Sequence, residues 1–432
     1  MNNFMKRTLI LILLLYGSLI VAAPIQRFPK PDFESGYERP TLQTPEPRAI
    51  GLEYFDVLVL VVVLSLASWF VLKKRSRRSV FVLMLFSLFY FGFWRKGCVC
   101  SIGAIQNVAY ALFSNEYTIP LTVVAFFVLP LLFTLFFGRT FCAAVCPLGA
   151  IQDVVILKPI HLPRWLNQVL GVIPYLYLAL AILFAVTGAG FLICQYDPFV
   201  GFFRFGATFY MILFGAFLLL LGTVIARPYC RFLCPYAVLL SWMSRLSKHH
   251  VSITPSECIN CRLCEASCPF DAIHFPRESV PGKQNKSPML IIIVLLPVLI
   301  LIGGWAGSLL HVPLSKGHAV VSLAEEIRLE DTGARLETTD ETRAFRATGT
   351  PVETLMHDAR EIQGRFKTAG WILGGFLGLV FGLKLLNLFH IRKQTIYEAD
   401  RASCLSCGRC LDYCPVGKEG VELPRIADQT SS

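Results

Sequence analysis

Seven stretches of roughly twenty residues carry little charge: 53–72, 79–96, 117–137, 167–189, 206–226, 288–310 and 369–390. Runs of about twenty apolar residues are what a helix needs to cross a hydrocarbon core of roughly 30 Å. The chain as a whole is 55% hydrophobic and only 16% charged, outside the soluble average. Its net charge of +11 therefore points to cytoplasmic loops of a membrane protein and not to nucleic acid. Alternating the segments from an inside N-terminus puts Lys73–Arg78, Arg139, Lys158, Arg164, Arg227, Arg231, Arg245, Lys248, Arg392 and Lys393 inside. Arg95, Lys96 and Arg204 are the exceptions and fall at the outer face.

The chain also repeats itself. Cys100–Asn107 (CSIGAIQN) matches Cys146–Asp153 (CPLGAIQD) almost position for position, each after a membrane segment and opening a short helix. Copies that follow consecutive crossings lie on opposite faces, the mark of an inverted-topology repeat.

Fifteen cysteines in a membrane protein call for a metal or redox role. The run C-x2-C-x2-C-x3-C-P occurs twice, at Cys258, Cys261, Cys264, Cys268-Pro269 and at Cys404, Cys407, Cys410, Cys414-Pro415. In this run three thiolates wrap one [4Fe–4S] cluster and the fourth ligates the other. One cluster is thus expected on Cys258, Cys261, Cys264 and Cys414, and a second on Cys404, Cys407, Cys410 and Cys268. The two halves are separated by two crossings, so they return to one face. Structural zinc is the competing metal, but it rarely uses four cysteines in this run before a proline.

A second pattern, C-x3-C-P, is also present twice: Cys142 with Cys146-Pro147, and Cys230 with Cys234-Pro235. Each follows a segment running inward, so the four thiols could share a further cluster at the inner membrane face or form another relay. Cysteine packed as a small hydrophobe is the bland alternative. Cys98, Cys100 and Cys194 remain, all expected at the outer face, where with Asp197 they could hold an outer iron–sulfur centre. A disulfide from Cys194 to Cys98 or Cys100 is the alternative there. Arg95, Lys96 and Arg204 nearby could neutralise a cluster, grip a flavin phosphate or snorkel at the interface. The eight histidines lie in loops or at segment ends and there is no C-x-x-C-H, which disfavours haem.

C-x3-C-P pairs between membrane helices, followed by ferredoxin motifs, resemble the membrane polyferredoxins of the NosR and NapH type. Trp94–Cys100, Ile105–Asn107 and Tyr196–Phe199 look closer to the NosR side. The resemblance covers roughly 79–270 and 404–415, and implies electron delivery between cytoplasm and periplasm. NosR-like proteins carry a periplasmic flavin domain for which 24–52 is too short, and 311–367 shows no flavin-attachment motif. Flavin is therefore expected only on a partner.

The expected fold class is an all-α polytopic membrane protein with inverted-repeat helices, plus a small α+β ferredoxin-like dicluster module split in sequence. Residues 1–23 read as a signal peptide or first anchor and 24–52 as a periplasmic linker. Residues 53–250 form the transmembrane cluster-binding domain and 251–287 the first, cytoplasmic ferredoxin half. A crossing at 288–310, a periplasmic loop at 311–367, a crossing at 369–390 and the second cytoplasmic half at 391–432 complete the chain. The protein is expected in a bacterial inner membrane, passing electrons from a cytoplasmic donor to a periplasmic flavoprotein or reductase. No catalytic constellation is evident, so chemistry belongs to partners. A quinol-oxidising subunit and a redox-sensing regulator are the alternatives. A transporter fits less well because ionisable residues are scarce within the segments.

Overall fold

The computed structural model describes residues 49–97, 100–114, 117–157, 159–253, 261–274, 287–335, 338–389 and 397–415. The expected leader at 1–23, nearly all of 24–52 and the two ligand candidates Cys98 and Cys258 lie outside these residues. The protein is largely α-helical. Among the described residues four helices are long and apolar enough to cross a membrane: Ile50–Leu72, Arg77–Trp94, Trp165–Val186 and Val352–Asn387. Leu121–Phe137, Phe209–Gly222 and Ser287–Leu309 add further apolar helices.

Helix Ile50–Leu72 shows why these segments pack as they do. Leu60, Val63, Leu64, Ala67 and Val71 recur at three- and four-residue spacing and are buried. Leu58, Val62, Leu66 and Trp69 on the same helix are exposed. A helix apolar all round cannot separate core from water, and its outward side suits lipid. The next helix widens into a π-helical turn over Leu88–Trp94, which carries the chain toward Cys100.

Helices Ser287–Leu309 and Val352–Phe389 pack antiparallel at very short range through glycines. A Cβ on Gly307 would stand 2.1 Å from the Gly370 carbonyl oxygen, and one on Gly374 would stand 2.2 Å from that of Gly303. Small residues let membrane helices approach until their backbones touch. Because the obstructing atoms are backbone, Gly307→Val is expected to destabilise this pair by about 3 kcal/mol, the upper part of the overpacking range. Earlier thermal unfolding in detergent checks this; an unchanged midpoint contradicts the packing.

The 352–363 stretch, part of the loop expected at 311–367, is helical and continuous with the following membrane segment. One 38-residue helix runs from Val352 to Phe389. No proline interrupts it, and a helical glycine costs only about 1 kcal/mol relative to alanine. Its first turns pack Leu355 and Ala359 against Val321, Ala324, Ile327 and Phe345 as a small satellite core.

Among the described residues β structure is confined to one antiparallel ribbon, pairing Ile273 with Ala399 and His274 with Glu398. Asp400 N–H adds a bond to Ala272 O at 2.7 Å. Small as it is, the ribbon ties the segment carrying Cys264 and Cys268 to the one carrying Cys404–Cys414.

Candidate metal centre

The four C-x3-C-P cysteines are delivered by two similar helix breaks. Helix Leu121–Phe137 ends at Gly138, whose φ of +72° suits glycine, and the five-residue helix Thr140–Ala144 then carries Cys142. Cys146 precedes helix Pro147–Val154, with the proline in its first turn, where no N–H is needed. Helix Phe209–Gly222 is followed by helix Pro228–Phe232, which carries Cys230, and Cys234-Pro235 leads into helix Tyr236–Arg245. All four thiols are buried and free, and Cys146 lies within electrostatic reach of the other three.

Burial pushes the Cys230 thiol up to about 11, against the pull of the Arg227 guanidinium. Thiols so placed keep their protons unless a metal displaces them. Among the described residues no three His, Cys, Asp or Glu side chains converge on a single ion position. A cube of iron and sulfide spreads its ligands more widely than one ion does, and an all-sulfur donor set is soft. The four buried thiols supply the all-cysteine donor set that a [4Fe–4S] cluster takes. Two buried phenols, Tyr177 Oη and Tyr229 Oη, have no hydrogen-bond partner, and both lie within electrostatic reach of Cys234, Asp197 and Cys100.

The two copies of the sequence repeat make equivalent contacts. Gln152 Oε1 accepts from the Tyr229 N–H at 2.9 Å, immediately before Cys230, and its Nε2 reaches Cys230 Sγ at 3.3 Å. Gln106 Oε1 accepts from the Ile193 N–H at 2.7 Å, immediately before Cys194. The glycines of the copies match too: a Cβ on Gly149 would meet Cys230 Sγ at 3.7 Å, and one on Gly103 would meet Cys194 Sγ at 3.2 Å. Sequence reasoning saw the repeat but not these partners. Gln152→Leu leaves the Tyr229 N–H buried and unpaired, an expected loss of about 1–3 kcal/mol. Chemical denaturation checks it; stability equal to that of the parent chain contradicts the clamp.

Asp153, the residue after that clamp, gathers three arginines. Its carboxylate pairs with Arg227 at 3.0 Å, with Arg409 at 3.4 Å and with Arg77. Burial alone would raise its pKa, but Arg227, Arg77 and Arg409 outweigh it and hold the carboxyl well below the usual range. Arg77 also donates to Cys407 O at 3.1 Å, and Arg139 donates to Ala402 O at 2.9 Å while reaching Cys142 Sγ at 3.8 Å. Arg401 adds two more bonds to the helix end at 244–247: its carbonyl accepts from Ser244 Oγ at 2.7 Å and its Nη1 donates to Ser247 O at 3.2 Å. The C-terminal cysteine segment is thereby held through arginines against the elements that carry the buried thiols. Arg77, Arg139 and Arg227, which the sequence places among inside charges, are the residues that join the two.

In the C-terminal segment Cys404 is within electrostatic reach of Cys407 and Cys268, and Cys410 of Cys407, Cys404, Cys268 and Cys264. Cys264 and Cys268, both from the distant first run, are thus within electrostatic reach of thiols of the second. Cys264 is buried, Cys261 exposed and Cys414 partly exposed. The corresponding backbone positions of the two runs match: Arg262 has φ +59° and Gly408 φ +75°, and each precedes a short helix.

Cys100 and Cys194 are free thiols that share a cavity of about 260 Å³ with Asp197, Asn107, Arg95 and Arg204. Arg95 pairs with Asp56 at 2.8 Å, and Arg204 Nε donates to Lys96 O at 3.3 Å. Both arginines thus have partners of their own on the wall of the cavity that holds Cys100 and Cys194.

Comparison with known proteins bears on this arrangement. A family model described as "4Fe-4S binding domain" matches residues 119–171 and 207–254, the two breaks that supply Cys142, Cys146, Cys230 and Cys234. A second model with the same description matches 251–274. The chain is a multi-pass membrane iron–sulfur protein. It is similar to the "Putative electron transport protein YccM" of Escherichia coli (strain K12), 31% identical over 118 residues, covering 25% of this chain and 33% of that protein. It is also similar to "Uncharacterized protein MJ0749" of Methanocaldococcus jannaschii, 38% identical over 55 residues, 13% of this chain and 22% of that protein. The chain thus matches a third or less of the length of these curated relatives. No solved structure matches it.

Proposed function

We propose that this protein carries electrons across a bacterial inner membrane, from a cytoplasmic donor or quinol to a periplasmic flavoprotein or reductase. The observation that carries the reading is that arginines hold the C-terminal cysteine segment against the elements that carry four buried thiols. When bound, iron–sulfur clusters supply one-electron transfer without substrate chemistry. Cys258, Cys261, Cys264 and Cys414 would hold one [4Fe–4S] cluster of a split, ferredoxin-like dicluster module, and Cys404, Cys407, Cys410 and Cys268 the other. Cys142, Cys146, Cys230 and Cys234 would hold a third, and Cys98, Cys100 and Cys194 ligands of an outer centre. Arg139 and Arg227 lie between the C-terminal cysteines and the buried ones, where their fixed charge favours anionic clusters.

The positive-inside pattern supports a cytoplasmic module with 311–367 on the other side. The likeness to a protein named for electron transport supports carriage over sensing. Flavin, where it takes part, belongs to the partner.

Sealed vesicles holding an impermeant oxidant and this protein alone test the function directly. Externally supplied reductant is expected to discharge the enclosed oxidant, and Cys146→Ala to abolish the discharge. Equal rates in protein-free vesicles overturn the proposal. A quinone-analogue inhibitor that stops turnover with quinol, but not with a soluble donor, identifies quinol as the donor.

A further inference from the structure

The geometry assigns Asp197 as a ligand of an outer iron–sulfur centre, in the place that Cys234 occupies in the inner one. This rests on the carrier reading above. The two repeat copies superpose in role: Cys100 on Cys146, Gly103 on Gly149, and Gln106 on Gln152. The glutamine clamps then pair Ile193-Cys194 with Tyr229-Cys230, so Cys194 corresponds to Cys230. Following the chain onward, Cys230 is succeeded four residues later by Cys234-Pro235, and Cys194 three residues later by Asp197-Pro198, one residue shorter.

The Asp197 carboxylate is held in place by the Phe199 N–H, which donates to it at 2.9 Å. Its side chain is buried, within electrostatic reach of both Cys100 and Cys194, on the wall of the cavity they share. A buried carboxylate is expensive unless paired or coordinated; Arg204 and the Phe199 N–H offset part of that cost here, and the carboxylate faces the cavity of two free thiols. The orphaned phenols of Tyr177 and Tyr229 lie within electrostatic reach of Asp197 as well as Cys234, and so relate to both centres.

Unequal ligands make unequal centres. Replacing a cluster thiolate by a weaker donor raises the potential, as histidine does in Rieske centres. A carboxylate at the outer centre therefore sets it above the four-thiolate inner one, which favours electrons moving toward the outer face.

The test is iron content and redox-titrated EPR on the full chain, purified without oxygen, for the parent and three variants. Asp197→Asn retains an acceptor for the Phe199 N–H yet is expected to lose the outer signal and its iron, as is Asp197→Ala. Asp197→Cys is expected to keep the iron and move the midpoint of that signal alone to lower potential. Parent-like iron, signals and midpoints in all three variants overturn the assignment, as does a Cys100–Cys194 disulfide in the parent. If the parent lacks the inner and C-terminal signals as well, the carrier reading falls; if only the outer signal ignores Asp197, the ligand assignment alone falls.

Discussion

Substituting alanine for Cys142, Cys146, Cys230 or Cys234 is expected to remove one cluster and stop transmembrane electron flow. Mutating partners that merely orient metal ligands already costs about 10–100-fold in affinity or activity, so losing a ligand should exceed about 100-fold. The four positions should behave alike because they are buried together and share neighbours. Gln152, which contacts Cys230 Sγ without being a thiolate, should give the smaller, positioning-type loss. Iron per chain and vesicle discharge rate measure this together. A variant that keeps its iron but loses flux, or the reverse, contradicts a single shared cluster.

Asp153→Ala is expected to be the most destabilising single charge removal in the protein. Asp153 and Arg227 both have fully buried side chains, and breaking such a pair leaves an uncompensated charge, typically a loss of about 3–5 kcal/mol. Arg77 and Arg409 lose the same partner, so the C-terminal segment should loosen from the buried thiols. Protease susceptibility of the C-terminal region is expected to rise along with the drop in thermal midpoint. The pH dependence follows from the sign of the shift. A carboxyl held below its unfolded value contributes stability that is fully present above about pH 4, and this is lost as pH falls through the lower folded value. The parent should therefore hold its stability down to about pH 5 and weaken below pH 4, whereas Asp153→Ala should lack that part of the decline. Parallel curves for the two proteins contradict the role given to Asp153.

Much of the candidate site is legible in the sequence because metal chemistry imposes spacing. The two C-x2-C-x2-C-x3-C-P runs and the two C-x3-C-P pairs announce themselves, and the matching of CSIGAIQN with CPLGAIQD reveals the repeat. What the repeat does cannot be read that way. The partners of Gln106 and Gln152 are backbone N–H groups at Ile193 and Tyr229, set by folding and not by any side-chain identity. Arg77, Arg227 and Arg409 fit a positive-inside pattern equally well whether solvated or gathered on Asp153, since that rule counts charges and not their pairings. The fused helix over Val352–Phe389 escaped because a polar stretch before an apolar one suggests a boundary, although only a breaker creates one. The glycine contact between the last two long helices was available: Gly303 and Gly307, and Gly370, Gly374 and Gly378, recur at four-residue spacing.

Iron and acid-labile sulfide per chain, determined on protein purified without oxygen, bear most directly on the central claim that distant cysteines converge to hold clusters. The account predicts at least about twelve irons with matching sulfide, four for each of three [4Fe–4S] clusters, and more with the outer centre filled. Stoichiometric zinc without sulfide, or a fully folded chain free of metal that still moves electrons across a vesicle membrane, contradicts it.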